Sequence, residues 1–512
     1  MNSNQLKAGT ILSYMQMALN IVINLLYTPI MLKTLGKGEY GLYQTITSTI
    51  SMLSLLSLGF NASYIRYFSK YKIKNDINAI QRLNGLFFVI FSIIGLIAFI
   101  CGMFITFNLN IVFDNGLTAD EYSLAKILMF ISTINLAIMF PMSVFQNIIA
   151  ANERFVVLKS LGMLKTVFSP LLCIPLLLMG FRSISIVSVT LIVSIFTDCI
   201  YAYYVIRVLH NRFLFNRFDS NLVKSLFVYT SFIAINLIVD QINLNIDKIL
   251  LGRFRGTGET AVYSVGFTIY HMYQSFSASI SSVFTPRIHK IVNETKENIN
   301  LQKTKLTEIF VKVGRIQFMV LGLIASGIVF FGRTFIVDFW AGREYGNSYI
   351  VAIMLILSSS IALIQNIGIE IQRALNKHRF RSIVYLIMAF LNLGLSIILC
   401  KIYGAVGSAF GTAISLIVAN GIIMNIYYNK RCNINIVFFW KNIFKMSIGL
   451  VPPILFGIVI TNIVDTTNIL LFLCSIIVYS IVYSISVWLI SMNGFEKEIL
   501  IKPIYKLIKY NN

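Results

Sequence analysis

The chain has 512 residues, 57% of them hydrophobic and only 12% charged. An ordinary soluble domain is about 25% charged. With a mean hydropathy of +0.79, this chain has too few charges to cover a water-facing surface, which excludes a soluble body. The net charge of +22 does not point to nucleic acid, because the basic residues sit in short segments between apolar runs.

The predicted fold class is an all-α polytopic membrane protein of 14 transmembrane helices. A hydrocarbon layer of about 30 Å needs roughly 20 apolar residues in a helix. Such runs occur at about 8–32, 41–65, 83–107, 123–150, 160–180, 183–206, 226–250, 261–285, 309–331, 349–373, 380–400, 405–427, 444–462 and 468–491. The first run is too long for a signal-peptide core and has no small-residue cleavage site, so it reads as a span. No connector is long enough to fold alone, and the longest, about 286–308, is polar and charged. With the N-terminus in the cytoplasm, Lys and Arg favour the inner segments by about three to one, which places both termini inside. Of six cysteines, Cys101, Cys173, Cys199, Cys400, Cys432 and Cys474, none forms a C-x-x-C pair and five lie in apolar helices. No disulfide and no metal site is expected.

The segment LGKGEYGLYQ at 35–44 returns as RGTGETAVYS at 255–264. Gly36, Gly38, Glu39 and Tyr43 become Gly256, Gly258, Glu259 and Tyr263, 220 positions later. AANERF at 150–155 meets ALNKHRF at 374–380, and YAYYVIR at 201–207 meets NIYYNKR at 425–431. Each copy holds six predicted helices. An even number makes both copies enter the membrane from the same side, related by a pseudo-twofold axis along its normal. The expected domains are a first six-helix lobe at 1–207, a second at 208–428, two additional helices at 429–491 and a cytoplasmic tail at 492–512.

Polar residues inside spans are costly, so their arrangement is informative. In the seventh span Asn236, Asp240, Asn243 and Asp247 fall within an arc of about 60°. A carboxylate at mid-membrane costs about 2.5–3.5 kcal/mol. Two on one stripe should face water, cations or each other. Lys248 lies about 80° from the stripe. The first span carries Ser13, Gln16, Asn20, Asn24 and Tyr27 within about 80°. The repeat offset sets Gln16 on Asn236, Asn20 on Asp240 and Tyr27 on Asp247. Symmetry then aims both stripes at a hydrated cavity, joined by His271, Gln274 and Ser281 of the eighth span. For the neutral residues, bonds between helices are an equal alternative, at about 0.6 kcal/mol each. His271 reads as a packed residue or a proton relay, and Asp198 and Glu370 as cavity or interfacial groups. Arg66, Lys165, Arg287 and Arg373 could each hold a phosphate or snorkel to the headgroups. Lys165, about five residues into its span, is the better placed for a cavity. Prolines such as Pro29, Pro141 and Pro286 in or at the ends of spans permit bending.

GRFRGTGET at 252–260 lacks the G-K-[ST] ending of a P-loop. No H-E-x-x-H, G-x-S-x-G or Cys/His cluster occurs. No cofactor and no catalytic residue is expected, and transport would draw on an H+ or Na+ gradient or on consumption of the product outside.

TPIMLKTLGKGEYGLYQ followed by SLGFNASYIRYFSKY resembles the start of bacterial polysaccharide-biosynthesis flippases, of the multidrug/oligosaccharidyl-lipid/polysaccharide exporter superfamily. QNIIAANERFVVLKS at 146–160 and NIDKILLGRFRGTGETAVYSVG at 245–266 resemble further segments, and the likeness covers essentially the whole chain. The resemblance implies two six-helix lobes around a V-shaped cavity plus two helices. It implies an undecaprenyl-diphosphate-linked oligosaccharide moved to the outer leaflet of a bacterial plasma membrane, for capsule or O-antigen assembly, by a monomer in contact with membrane lipids and assembly enzymes. Related lipid II flippases carry an arginine midway along the first helix, where this chain has Gln16 and Asn20. Drug-exporting branches place ion-coupling carboxylates in the first lobe, whereas Asp240 and Asp247 are in the second. A cation-coupled multidrug exporter, or a membrane glycan polymerase or glycosyltransferase, is the alternative. The short outer segments speak against the enzymes.

Overall fold

The computed structural model describes residues 3–113, 117–215, 220–498 and 501. Among them the regular structure is helical, without a strand. The helices are α1 (Ser3–Leu53), α2 (Phe60–Ile73), α3 (Ile77–Phe107), α4 (Ala119–Ala151), α5 (Phe155–Leu178), α6 (Arg182–Tyr203), α7 (Ser220–Phe254) and α8 (Thr257–Glu294). They continue as α9 (Ile299–Thr334), α10 (Gly346–Ile364), α11 (Ile367–Ala374), α12 (His378–Leu416), α13 (Met424–Arg431), α14 (Ile436–Ser447), α15 (Val451–Ile463) and α16 (Ile469–Ser486).

Side chains set several helix starts. Asp76 accepts from the Ala79 amide at 2.9 Å, Asn298 from Leu301 at 3.0 Å and Asn435 from Phe438 at 2.9 Å. Thr118 and Glu121 form a reciprocal capping box at the start of α4. Each cap satisfies an amide with no partner inside the helix and stabilises by about 0.5–2 kcal/mol.

Packing divides the chain into two compact units, residues 1–264 with 393–408 and residues 265–392 with 409–512. Their limits do not follow the sequence copies, because α7 and the start of α8 pack with the first copy. The first unit has an aromatic core in which Phe60 meets Phe87 edge-on at 6.3 Å and Tyr64 meets Phe87 at 5.1 Å. Inside that core the Tyr64 hydroxyl donates to Asn84 at 2.6 Å. On α3 the opposite ridge, Ile93, Leu96, Ile97, Ile100 and Phe104, is exposed and wholly apolar. A helix apolar all round suits lipid rather than water. The second unit packs Phe310 against Phe439 at 4.7 Å and Phe331 against Tyr479 at 5.5 Å.

The protein is a multi-pass membrane protein. Among the described residues, ten helical stretches are long and apolar enough to cross a membrane. Two of them, Ile11–Ile73 and His378–Arg431, each contain two predicted spans, while α7 and α8 fall outside the ten. The expected count of fourteen is therefore not reached on length and apolarity alone. Two expectations need correction. The first span does not end near residue 32: Pro29 lies within α1, and the chain turns at Gly36 (φ 73°, ψ 174°). The second span, expected at 41–65, is not one helix. It breaks after Ser54–Ser57 at Leu58 (φ 46°) and Gly59 (φ 81°), then resumes as α2. Gly59 is required there, since a Cβ would lie 2.6 Å from Ile233 of α7. The tail predicted at 492–512 lies outside the described residues except for 492–498 and 501.

The repeat is written in the backbone. Left-handed residues recur as Gly36 and Gly256, Glu153 and Asn376, Arg182 and Gly404, and His210 and Asn433, each pair 220 to 223 positions apart. Their hydrogen bonds recur too. The Arg154 amide reaches the Ile149 carbonyl at 3.1 Å and Lys377 reaches Gln372 at 2.8 Å. Asn211 reaches Val205 at 3.1 Å and Ile434 reaches Tyr428 at 3.2 Å.

Candidate functional site

The repeated turns owe their geometry to their glycines and their glutamates. After Gly36, Glu39 accepts from the amide and the hydroxyl of Ser183 at 2.8 and 2.5 Å, at the start of α6. After Gly256, Glu259 accepts from the Ala405 amide at 2.7 Å, where α12 restarts beyond Gly404. A carboxylate at a helix N-terminus meets open amides and the positive end of the helix dipole. The two turns also meet one another. Gly41 passes so close to α8 that a Cβ there would lie 1.7 Å from the Thr257 carbonyl oxygen. The Thr45 and Thr260 hydroxyls stand 3.4 Å apart. The glutamates were legible in the motif itself, but the sequence reading assigned them no role.

The seventh-span stripe is divided. Asn236, Asp240 and Asn243 are exposed, whereas Asp247 is 2% exposed. Asp247 accepts from the Tyr263 hydroxyl at 2.8 Å and the Ser408 hydroxyl at 2.6 Å. It is a buried acceptor joining α7, α8 and α12, and does not line accessible space as the stripe implied. The 60° arc kept it beside Asp240 on the wheel, but Tyr263 of α8 and Ser408 of α12 meet it at the later end of α7. Lys248 is half-buried.

On the first span, Asn20 and Asn24 are exposed and Gln16 is half-buried. Asn24 donates to the Asn20 carbonyl at 2.8 Å. The Gln16 amide lies over Gly162 of α5, where a Cβ would come within 2.9 Å of its nitrogen. Lys165 follows on α5, half-buried and within electrostatic reach of Asp198. Asp198, buried on α6, accepts from Gln146 of α4 at 3.0 Å. The structure thus gathers Lys165, Asp198 and Gln146 into one polar cluster across α4, α5 and α6, with Gln16 of α1 against Gly162, one turn before Lys165. Asp198 was equally readable as an interfacial group, and Gln146 was missed. Its place opposite Asp198 is a tertiary fact that no helical wheel contains.

Arg66 is exposed on α2. His271 is exposed, its ring stacked on Phe267 at 6.3 Å. Gln274 bonds the Tyr270 hydroxyl one turn back. Ser281 lies 2.6 Å from the buried Gln317 amide and so serves packing. Among the described residues no group of three His, Cys, Asp or Glu side chains could hold a metal ion. The six cysteines are free thiols.

Residues 6–292, the whole first copy with α7 and nearly all of α8, match the model of the family described as polysaccharide biosynthesis protein. The chain belongs to that family. This polysaccharide biosynthesis protein is also 26% identical over 211 residues to the capsular polysaccharide biosynthesis protein CapF of Staphylococcus aureus. That match takes in 41% of this chain and 50% of CapF, so the chain spans about half the length of the curated relative it matches. In fold it is similar to the lipid II flippase MurJ in an inward closed conformation, with a TM-score of 0.71 and 16% identity over 97% of this chain and 99% of that one. It is similar as well to an inward-facing multidrug resistance MATE family transporter of the MOP superfamily, with a TM-score of 0.59 and 15% identity over 83% and 94% of the two chains. The polar stripe from Gln16 to Asp247 lies wholly within the matched family segment.

Proposed function

We propose that this family member is a flippase. It carries an undecaprenyl-diphosphate-linked oligosaccharide from the inner to the outer leaflet of a bacterial plasma membrane, for a surface polysaccharide such as a capsule. Alternating access of the lobes 1–207 and 208–428 moves the substrate, with both termini cytoplasmic and without chemical conversion. One observation carries the reading: Asn20 and Asn24 on α1 and Asn236, Asp240 and Asn243 on α7, the predicted first and seventh spans, are exposed. Side chains of this kind are not stable against lipid, since a central carboxylate alone costs about 2.5–3.5 kcal/mol. They therefore border water, and amides beside a carboxylate suit the hydroxyls of a glycan. Lys165 is the favoured partner of the diphosphate, because an ammonium beside a polar path can make charge-assisted bonds to phosphate oxygens. The polyprenyl tail can remain in lipid throughout. CapF, by its name a capsular polysaccharide biosynthesis protein, supports the glycan.

Deletion of the gene should leave the lipid-linked glycan on the inner leaflet, measured by labelling of surface polysaccharide. Normal surface glycan without a compensating paralogue ends the proposal. Asp240→Ala and Lys165→Ala should each lower export while membrane abundance stays unchanged on immunoblots. The likeness to a MATE transporter favours a second reading, cation-coupled drug export. A deletion strain with altered drug susceptibility and normal surface glycan would select it.

A further inference from the structure

The charged hairpin between α8 and α9 encloses a cavity of about 620 Å³. Both helices offer one face to it. On α8, Arg287, Lys290 and Glu294 follow at helical spacing, and on α9 Lys305, Glu308 and Lys312 do the same. Four cations thus meet two carboxylates. Lys290 pairs with Glu294 at 3.6 Å, which leaves Arg287, Lys305 and Lys312 converging with Glu308. Lys305 and Lys312 are half-buried. Apolar residues, Phe284, Ile309 and Phe495, complete the wall.

The cavity is held open by its surroundings. The turn of the hairpin is fixed by Thr295, whose hydroxyl donates to the Ile291 carbonyl at 2.7 Å, and by the Asn298 cap. Phe495 comes from the segment after α16, and the Lys312 ammonium sits over its ring at 4.8 Å. The neighbouring Glu496 anchors that segment. It receives a bidentate bond from Arg315, at 2.5 and 2.8 Å, with the two side chains 7% and 1% exposed. A preformed wall saves the ordering cost that binding would otherwise meet.

We propose that this cavity binds a phosphate group, that of an anionic membrane lipid. Clustered ammonium and guanidinium groups recognise phosphate oxygens, and basic pockets between membrane helices suit lipid headgroups. The volume fits a headgroup. The apolar wall, beside α9, which is long and apolar enough to cross a membrane, favours a lipid over a soluble anion, because an acyl chain has somewhere to lie. The cavity shares no residue with the polar stripe, so the inference does not depend on the transported substrate.

The test uses the full-length protein in neutral detergent, with thermal unfolding followed during titration with dioleoyl phosphatidylglycerol, dioleoyl phosphatidylcholine or inorganic pyrophosphate. Phosphatidylglycerol should stabilise at lower concentration than phosphatidylcholine. Replacing both Lys305 and Lys312 by Gln should weaken that preference, by roughly fivefold for each cation removed, while Lys→Arg at both positions keeps it. If the double variant does not fold, the exposed Arg287→Gln and Lys290→Gln variants carry the test. Equal response to the two lipids, or an unchanged preference in the Gln variants, overturns the proposal. Stabilisation by pyrophosphate alone, lost in the same variants, overturns the assignment to a lipid.

Discussion

The two copies of the repeat share their turns and differ in what the turns hold. Both place a left-handed glycine three residues before a glutamate that caps a distant helix, at Gly36 with Glu39 and at Gly256 with Glu259. Yet the helix that follows is broken at Leu58–Gly59 in the first copy and runs unbroken from Thr257 to Glu294 in the second. Tyr27 of the first copy becomes Asp247 of the second, and the second gains a buried acceptor where the first has a phenol. Duplication has kept the backbone grammar, which is set by sterics, and changed the side chains, which set chemistry. The fold needs the first and the function draws on the second.

The sharpest way to break this comparison is at Gly41, whose counterpart 220 positions on is Ala261. A Cβ at 41 would lie 1.7 Å from the Thr257 carbonyl, a backbone atom that cannot rotate away. Gly41→Ala should exceed the usual overpacking cost of about 1–3 kcal/mol and leave little folded protein. Gly258→Ala meets only the Lys37 side chain, at 3.6 Å, and should be nearly silent. Fluorescence-detected size exclusion of the two variants checks both. Similar behaviour would remove close contact of the repeated turns as the reason for the difference.

Next in size is the clasp that joins the second copy to the segment after α16. Arg315→Met leaves Glu496 buried at 1% exposure without its guanidinium. Breaking one side of a buried pair costs about 3–5 kcal/mol, and the melting temperature should fall clearly. At Gly95, the equivalent position of the first copy, there is no ion pair to lose.

A smaller effect separates the two glutamates. Glu39 accepts two bonds from Ser183, while Glu259 accepts from the Ala405 amide at 2.7 Å. Loss of a helix-start acceptor costs about 0.5–2 kcal/mol. Glu39→Ala should lie toward the upper end and Glu259→Ala toward the lower, read as melting temperatures in the same detergent. Reversed order would mean that the number of donors does not set the strength of the turn.

Much of this was legible in the sequence, for a physical reason. Turn positions follow from glycine and its offset, so Gly36 and Gly256 could be paired before any coordinates. Apolar runs found the helices, but not the break at Leu58, where the backbone turns left-handed and Ile233 of another helix leaves no room for a Cβ at Gly59. The wheel placed Asp240 and Asp247 together because it knows only angle. Burial of Asp247 depends on Ser408, 161 residues away. Lys165 was singled out from its depth alone, whereas the Gln146–Asp198 bond beside it joins two helices and lay beyond a local reading.

The smallest expected effect lies outside both copies, in the turn between α15 and α16. Asp465 accepts from the Thr467 amide at 3.0 Å and its hydroxyl at 2.6 Å. These bonds favour the ionised form and hold its carboxyl below the usual aspartate range, burial opposing only slightly. A group whose folded value is depressed lends stability that is complete above its ordinary value, about 3.9. That stability is lost as pH falls through the lowered value. Wild type and Asp465→Asn should therefore differ slightly at neutral pH and converge in strong acid. Because the side chain is fully exposed, solvent screens the effect, and the difference should be smaller than that at Glu259. A large, pH-independent gap would mean that the turn acts through packing of α15 on α16 rather than through the charge of its carboxylate.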